Sequence, residues 1–350
     1  TQSKMFCSCK ADYQAAAPNT RVCPVCLGLP GTLPVINKKA VEFTIMTGLA
    51  LGCNIPGLTK FDRKNYPYPD LMKGYQISQY DMPLAMNGEL DISADGQDRT
   101  VRVERVHLEE DVSKLQHMGG DNDEAHSLVD VNRSGVPLME VVSHPDMRTP
   151  EEARSYLTKL HSIIQYLGVS TANAQDGSFR CDANISLRPV GQEEYGTKAE
   201  IKNMNSLRAV FMALNHEQER QKKVLDSGER VIQETRGWSE ERNVTYSQRS
   251  KEEAHDYRYF PEPDLPPLVI TDSWIDEIRN KLPELASDRL TRFTEQYGLP
   301  EYDARLLTNS KAMADYYEQA FGLHATESKP DEKFAKNASN WILGDLSRLL

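Results

Sequence analysis

RCDANISLR (residues 180–188) and TKAEIKN (residues 197–203) decide the fold. In the first stretch Cys181, Ala183, Ile185 and Leu187 alternate with Arg180, Asp182, Asn184, Ser186 and Arg188. In the second, Ala199 and Ile201 alternate with Lys198, Glu200 and Lys202. A period of two puts one set of side chains on a core and the other on the opposite face, so both stretches are predicted strands. A solvated sheet face fits the pattern equally well. The composition points further, because acids, amides and bases on adjacent strands are the groups that hold phosphates and metals. Side by side, the two strands would make a polar floor for a cleft.

Helices are signalled on either side. One is predicted from Asn37 to Gly52, with Val41, Ile45, Met46 and Leu49 on one side. A second begins at Thr149, with Pro150 at its first position and Glu152 closing a capping box, and stops at Gly168. A third runs from Ser206 to about Gly228. From Asp272 onward the chain reads as helical, with breaks at Pro283, at Gly298-Leu299-Pro300 and from Gly322 to Pro330. At 350 residues the chain is expected to form about two domains. Their boundary is placed near 280, giving domains 1–280 and 281–350.

Charge and cysteine usage narrow the class. Lys plus Arg is 41 and Asp plus Glu is 52, a net charge of −11, which argues against a general nucleic-acid coat protein. Residues 1–80 nevertheless hold nine Lys/Arg against four Asp/Glu, so a local basic face survives. No apolar run reaches the length of about 18 residues expected of a membrane-spanning helix. The start, Thr1-Gln2-Ser3-Lys4, reads as a fragment whose N-terminus lies upstream. Six cysteines and no export signal predict a reducing, cytoplasmic setting without disulfides.

Four of those cysteines fall in Cys7-Ser8-Cys9 and Cys23-Pro24-Val25-Cys26. Two close pairs supply the four-sulfur shell that structural zinc prefers, and a full shell leaves no open position for catalysis. Reduced cysteines packed in a core are the alternative. The stretch Gly191 to Lys198 imitates a phosphate-binding loop, but its Lys does not follow the Gly directly and a strand, not a helix, comes next. Acids cluster in His107-Leu108-Glu109-Glu110-Asp111, and Glu140 sits alone in the apolar run Pro137–Val142. An acid buried there needs a cation or donor, so Glu140 is expected in a salt bridge or on a metal. Residues 60–76, KFDRKNYPYPDLMKGYQ, pack bases and aromatics into a Pro-rich loop suited to phosphate or nucleic-acid contact.

The segments KFDRKNYPYPDLMKGYQISQYD (60–81), HLEEDVSK (107–114), SLVDVNRSGVPLMEVVSHPDMRTPEEA (127–153), GSFRCDANISLRP (177–189), GTKAEIKNMNS (196–206) and DYRYFPEPDLPPL (256–268) closely resemble the B-subunit family of the aspartyl/glutamyl-tRNA amidotransferases. CPVCLGLPGTLPVINKKAV (23–41) fits as well, so the resemblance runs essentially end to end. It implies an α+β fold: a cradle-shaped catalytic domain similar to glutamine synthetase, built on an antiparallel sheet and followed by an all-helical domain. It implies a ligase of protein biosynthesis, in a heterotrimer with a glutaminase (the family's A component) and a small C component. The B component would use ATP and magnesium to phosphorylate the side-chain carboxylate of Glu or Asp mischarged on tRNA. Ammonia channelled from the glutaminase would then displace phosphate.

By the same resemblance, magnesium carboxylates fall on Glu110 and Glu140, and lysines of the ammonia route on Lys64 and Lys73. Asp182, Asn184, Lys198, Glu200 and Lys202 fall on the polar face of the ATP and substrate pocket. The family's Gly-Leu-Glu-Val-His strand, with further magnesium ligands, is expected upstream of Thr1, and a helical tail domain beyond Leu350. The quartet Cys7, Cys9, Cys23 and Cys26 is not universal in the family, so zinc is expected to be structural. Two other readings are a non-catalytic zinc-containing protein that binds tRNA within the complex, and a stand-alone ligase for small carboxylates. The joint presence of Glu110, Glu140 and Lys64 argues against the first of these.

Overall fold

A computed structural model describes residues 1–119, 126–173, 177–250, 257–322 and 332–349. The first half of the chain forms α1 (Lys38–Ala50), β1 (Leu58–Thr59), β2 (Asp62–Asn65), β3 (Tyr75–Ser78), β4 (Ala85–Ala94), β5 (Gln97–Glu110), β6 (Lys114–Met118), β7 (His126–Asp130), β8 (Pro137–Ser143) and α2 (Pro150–Leu167). There follow β9 (Cys181–Ile185), β10 (Ala199–Met204), α3 (Leu207–Asp226), β11 (Glu234–Ser239), β12 (Val244–Ser250), β13 (Phe260–Pro261), β14 (Leu268–Val269) and α4 (Asp272–Arg279). Next are α5 (Ala286–Glu295), α6 (Glu301–Thr308), α7 (Lys311–Gly322) and α8 (Glu332–Trp341), and a π-helical turn, Ile342–Leu346, leads into α9 (Ser347–Leu349). The architecture is a mixed α and β one, with small, mainly antiparallel sheets.

The three helices signalled in the sequence start where side chains satisfy their first amides. Asn37 Oδ1 accepts from Lys39 N at 3.0 Å, and Ser206 Oγ accepts from Ala209 N at 3.0 Å. At α2, Thr149 Oγ1 accepts from Glu152 N, but the Glu152 carboxylate reaches past the cap to Arg148 N. It also takes Arg99 Nε of β5 at 2.7 Å. The expected capping box is therefore half local and half a tie to the sheet.

β4, β5 and β8 form an antiparallel sheet in the order β4-β5-β8. Its hairpin closes at Asp95-Gly96, both at positive φ, which suits the twist of a two-residue turn. Leu90, Ile92, Val101 and Val103 are buried, and α1 packs against β4 and β5. Gly48 permits that approach, since a Cβ there would lie 2.5 Å from the Ala85 Cβ. A second sheet has the order β13-β2-β3, and Arg63 on β2 fastens the β13 segment by a two-pronged bond to the buried Glu262 carboxylate.

The deciding strands pair antiparallel, with Ile201 opposite Ala183 and Glu200 opposite Asn184. Ala199 and Ile201 are fully buried, while Asp182 and Asn184 are exposed, as the period of two requires. β9 stops at Ile185, earlier than the alternation suggests. One expectation is corrected. The sheet β12-β11-β10-β9 is not wholly antiparallel, because β10 and β11 run parallel. The connection between them is the long helix α3, and a helical crossover returns the chain in the same direction. α3 lays Ala209, Val210, Ala213 and Leu214 as its buried stripe and packs on β9, β10 and β12.

The chain divides into two compact units, Thr1–Leu157 with Asn173–Asn280, and Thr158–Ala172 with Lys281–Leu350. The second unit takes in residues 158–172, which the sequence reading assigned to the first domain. Its core is Phe293, Leu299, Leu307, Tyr317, Phe321 and Ile342. Pro283 lies between α4 and α5, and Gly298 to Pro300 between α5 and α6. The interval from Gly322 to Pro330 lies outside the described residues beyond Gly322. Among the described residues no helix is long and apolar enough to cross a membrane.

Candidate active site

The buried end of β5 carries the sequence His107-Leu108-Glu109-Glu110, and its pleat sends successive side chains to opposite faces. On one face stand His107 and Glu109. The register with β8 sets Glu140 directly opposite His107. His107 Nε2 lies 3.6 Å from a Glu140 oxygen and 3.8 Å from a Glu109 oxygen. Ligand atoms of all three side chains lie within 4.8 Å of one another. Ser78 Oγ donates to Glu109 at 2.9 Å. Burial, the largest single influence, pushes the Glu109 carboxyl up, but His107, Lys64 and the Ser78 hydroxyl together hold it below the usual range. Glu109 is thus a buried carboxylate that stays charged beside an exposed one, and His107 Nδ1 is buried with no hydrogen-bond partner among the described residues.

Two expectations change here. Glu140 is not a buried acid: its side chain is 53 % exposed, because β8 is an edge of its sheet. Nor does Glu110 join it. Glu110 points to the other face of β5, where Oε1 accepts from Lys73 Nζ at 2.5 Å and from Ile77 N at 2.9 Å. The carboxylate brought to Glu140 is Glu109, one residue earlier. The alternation in HLEED held the signal, since only one of two adjacent acids can face a given partner. Which one does depends on the register with β8, which no local pattern reveals.

The two lysines separate in the same way. Lys64, on β2, lies over the Tyr257 ring, 4.8 Å from its centroid, and 5.7 Å from that of Tyr66, and its charge acts on Glu109. Lys73 lies 5.6 Å from the Phe6 and Tyr75 centroids and is held by Glu110. Lys73, Tyr75, Glu110, Asp70, Asp111 and Ser134 line a small, partly open concavity. Asp111 binds Arg180, just before β9, at 2.7 Å, and this ties the acid-bearing strand to the neighbouring sheet.

On that sheet, Lys202 Nζ donates to Asp182 Oδ2 at 2.8 Å and lies 3.4 Å from Glu200 Oε1. Thr235 of β11 donates to Glu200 at 3.0 Å, and Asn184 stands opposite Glu200. Asp182, Asn184, Glu200 and Lys202 therefore form one connected polar face. Lys198 is exposed and precedes β10 rather than lying in it.

Cys7, Cys9, Cys23 and Cys26 converge, with all four sulfurs within 4.8 Å of one another. Cys23 and Cys26 Sγ are 3.9 Å apart, close to the edge of about 3.8 Å that a zinc tetrahedron with ~2.3 Å bonds requires. None of the six cysteines is in a disulfide. A hydrogen bond from Cys7, opposed by burial and aided by Cys23 and the charge of Lys4, holds the Cys26 thiol down at about 4, while the Cys7 thiol is pushed up. Lys4 is fully buried and donates to the Val131 carbonyl at 3.3 Å. Gly135, at φ +80°, packs between this centre and β5: a Cβ there would approach Lys4, Cys26 and Glu110 Oε2 at 3.7, 3.8 and 3.9 Å. The knuckle is thus wedged against the Glu110 face. Its sequence predicted the sulfurs but not the buried lysine beneath them.

A four-sulfur knuckle, a carboxylate–imidazole cluster and a polar sheet follow one another along the chain. The chain belongs to the family described as the GatB/GatE catalytic domain, which matches residues 1–276. Over its whole length it is 61 % identical to the B subunit of the aspartyl/glutamyl-tRNA(Asn/Gln) amidotransferase of Dehalococcoides mccartyi (strain CBDB1), covering 71 % of that protein. Identity is 57 % to the protein of the same name from Carboxydothermus hydrogenoformans and 55 % to that from Thermomicrobium roseum, again over the whole chain and 71 % of each relative.

Proposed function

We propose that this chain is the carboxylate-activating component of a tRNA-dependent amidotransferase, working with the glutaminase and the small C component of the same enzyme. The observation that carries the reading is the grouping of His107, Glu109 and Glu140 beside Lys64, within the family-matched region. The side-chain carboxylate of Glu or Asp mischarged on tRNA attacks the γ-phosphorus of ATP, and ADP leaves. Ammonia then adds through its lone pair to the acyl phosphate carbonyl, phosphate departs, and the amide remains. A carboxylate is a poor electrophile, so this exchange of leaving group makes the amidation feasible.

The donor set fits magnesium. Glu109 and Glu140 offer hard carboxylate oxygens, and one or two of these, with substrate phosphates, are what magnesium usually takes from a protein. The ion when bound supplies neutralisation of phosphate charge. His107, the borderline donor of the three, lies between the two carboxylates across the strand pair. Lys64 offsets charge on this side; Lys73 and Glu110 line the ammonia route; Asp182, Asn184, Lys198, Glu200 and Lys202 face ATP and substrate. The sulfur quartet holds one structural zinc. Residues 1–280 constitute the catalytic domain, a cradle similar to glutamine synthetase, and residues 281–350 belong to a helical one.

The test is amidation by the reconstituted trimer with ATP, ammonium and each mischarged tRNA. Amidated product from the native trimer, lost with Glu109→Gln or Glu140→Gln while tRNA binding persists, is expected. Undiminished turnover by either variant would remove the cluster from the reaction.

A further inference from the structure

We propose that Tyr80 and Tyr259 form a stacking platform for the adenine ring of a nucleotide whose reacting end lies at His107, Glu109 and Glu140. This rests on the amidotransferase reading, because that reaction brings two adenosines to one site: that of ATP and the 3′-terminal one of tRNA. The two rings are parallel, 4.3 Å between centroids and 11° between planes, and Tyr80 is 54 % exposed. A flat aromatic pair with an open outer side is what a base requires, since every base has a π-face and stacking needs no hydrogen-bond code.

The pair is continuous with the acid cluster. Tyr259 lies within electrostatic reach of both Glu109 and Glu140. Behind it, Tyr257 meets Tyr259 and Tyr66 edge-on at 6.1 and 5.7 Å, and Lys64 lies over Tyr257. A row of four tyrosines thus runs from Lys64 to the open side of Tyr80, with the carboxylates alongside.

The backbone is held to keep it so. Arg258, between the two tyrosines of β13's approach, sits at φ +42°, in the left-handed region that side chains other than glycine rarely adopt. Asn65 secures this turn twice, donating from its backbone N–H to the Tyr257 carbonyl and from Nδ2 to the Arg258 carbonyl, each at 2.8 Å. A strained residue fixed by a dedicated side chain beside a candidate site is the pattern expected where ring placement matters. Asn65 is accordingly a positioning residue for the platform.

The experiment uses the assembled trimer with ammonium as nitrogen donor. Tyr80→Ala and Tyr80→Trp are compared for KM and kcat, and for equilibrium binding of ATP and of an acceptor-stem minihelix ending in CCA. Tyr80→Ala should weaken one of these two ligands by about tenfold, the loss of one base stack, with kcat nearly unchanged. Tyr80→Trp should restore it. A loss confined to ATP assigns the platform to the nucleoside triphosphate, and one confined to the minihelix assigns it to the tRNA end. Unchanged affinity for both ligands in Tyr80→Ala overturns the platform. A native trimer that binds both ligands but never amidates overturns the underlying reading, and the affinity comparison still decides the platform. Truncation at Tyr80 removes an exposed ring, so folding is not at stake.

Discussion

Glu109 and Glu110 are neighbours on one strand, equally buried, yet they live in different electrostatic worlds. Glu110 has its own cation, Lys73, and a backbone amide from Ile77. Glu109 has a hydroxyl, an imidazole at 3.8 Å and a lysine acting from a distance. A buried carboxylate paired with a cation at hydrogen-bond distance is satisfied, whereas one with no cation that close keeps oxygen lone pairs open to receive one. The pleat of a single strand has made one acid a candidate ligand and the other a candidate structural or gating pair. Period two, not residue type, divides them.

The sharpest way to break this comparison is to neutralise each acid in turn. Glu109→Gln should lower ammonium-driven amidation by about a thousandfold or more, the scale of losing a clamp worth several kcal/mol on transferring phosphoryl charge. Glu140→Gln should follow it, and tRNA affinity should stay near native in both. Glu110→Gln leaves the Lys73 ammonium without its partner, so its first effect should be on glutamine-driven rather than ammonium-driven turnover. Steady-state rates with the two nitrogen donors check this. Equal collapse of ammonium-driven turnover in Glu109→Gln and Glu110→Gln would end the distinction between the faces.

Metal removal probes the Glu110 face from behind, because Gly135 packs between Cys26, Lys4 and Glu110. We expect one zinc per chain by elemental analysis, abolished by Cys26→Ser. Stripping it should destabilise the first unit by on the order of a few kcal/mol. Hydrogen exchange should then rise in residues 1–36 and 131–136 and stay low in β8. Protein purified without chelators and free of zinc would contradict the assignment.

Smaller effects are expected of the lysines. Lys73→Met should reduce glutamine-driven amidation severalfold and spare ATP affinity. Lys64→Met should weaken the Glu109 side instead, with ATP-dependent turnover falling for either nitrogen donor. Arg63 cannot substitute as a phosphate contact, since both prongs are spent on Glu262 and its guanidinium lies 4.2 Å from the Tyr75 centroid. Residues 60–76 read as one basic and aromatic stretch, but adjacent strand residues such as Arg63 and Lys64 face opposite ways.

That example shows what the sequence carried and what it did not. The helix starts at Asn37, Thr149 and Ser206 were legible because caps are local chemistry. The polar sheet face was legible because Asp182, Asn184, Glu200 and Lys202 obey a period of two. The sulfur quartet was legible from pair spacing. Three features were not: the parallel return at β11, the choice of Glu109 over Glu110, and the meeting of Tyr80 with Tyr259. Each is fixed by register or crossover between segments distant in the chain, where no local pattern records the partner.

The smallest effect lies at the opposite, exposed end of β5, and it completes the contrast between paired and unpaired charge along one strand. Arg102 donates to Asp146 through Nε at 2.9 Å and through its second terminal nitrogen at 2.7 Å, and its backbone N–H adds a third bond at 3.0 Å. The Arg102 hydrogen bond, against a little burial, holds the Asp146 carboxyl down at about 2, from an ordinary 3.8. A depressed acid stabilises the fold fully above its unfolded value and loses that contribution as pH falls toward the folded one. The window is therefore from just below pH 4 down to about 2. Solvent and salt reach the exposed Arg102 and screen the pair, so Asp146→Asn should lower Tm by no more than about 2 °C at pH 6 in low salt. The difference should shrink as pH drops through that window and as salt is raised. Thermal melts of the two proteins at pH 6 and pH 3 check this. A gap that widens on acidification would mean that Asp146 is held by something other than its pairing with Arg102.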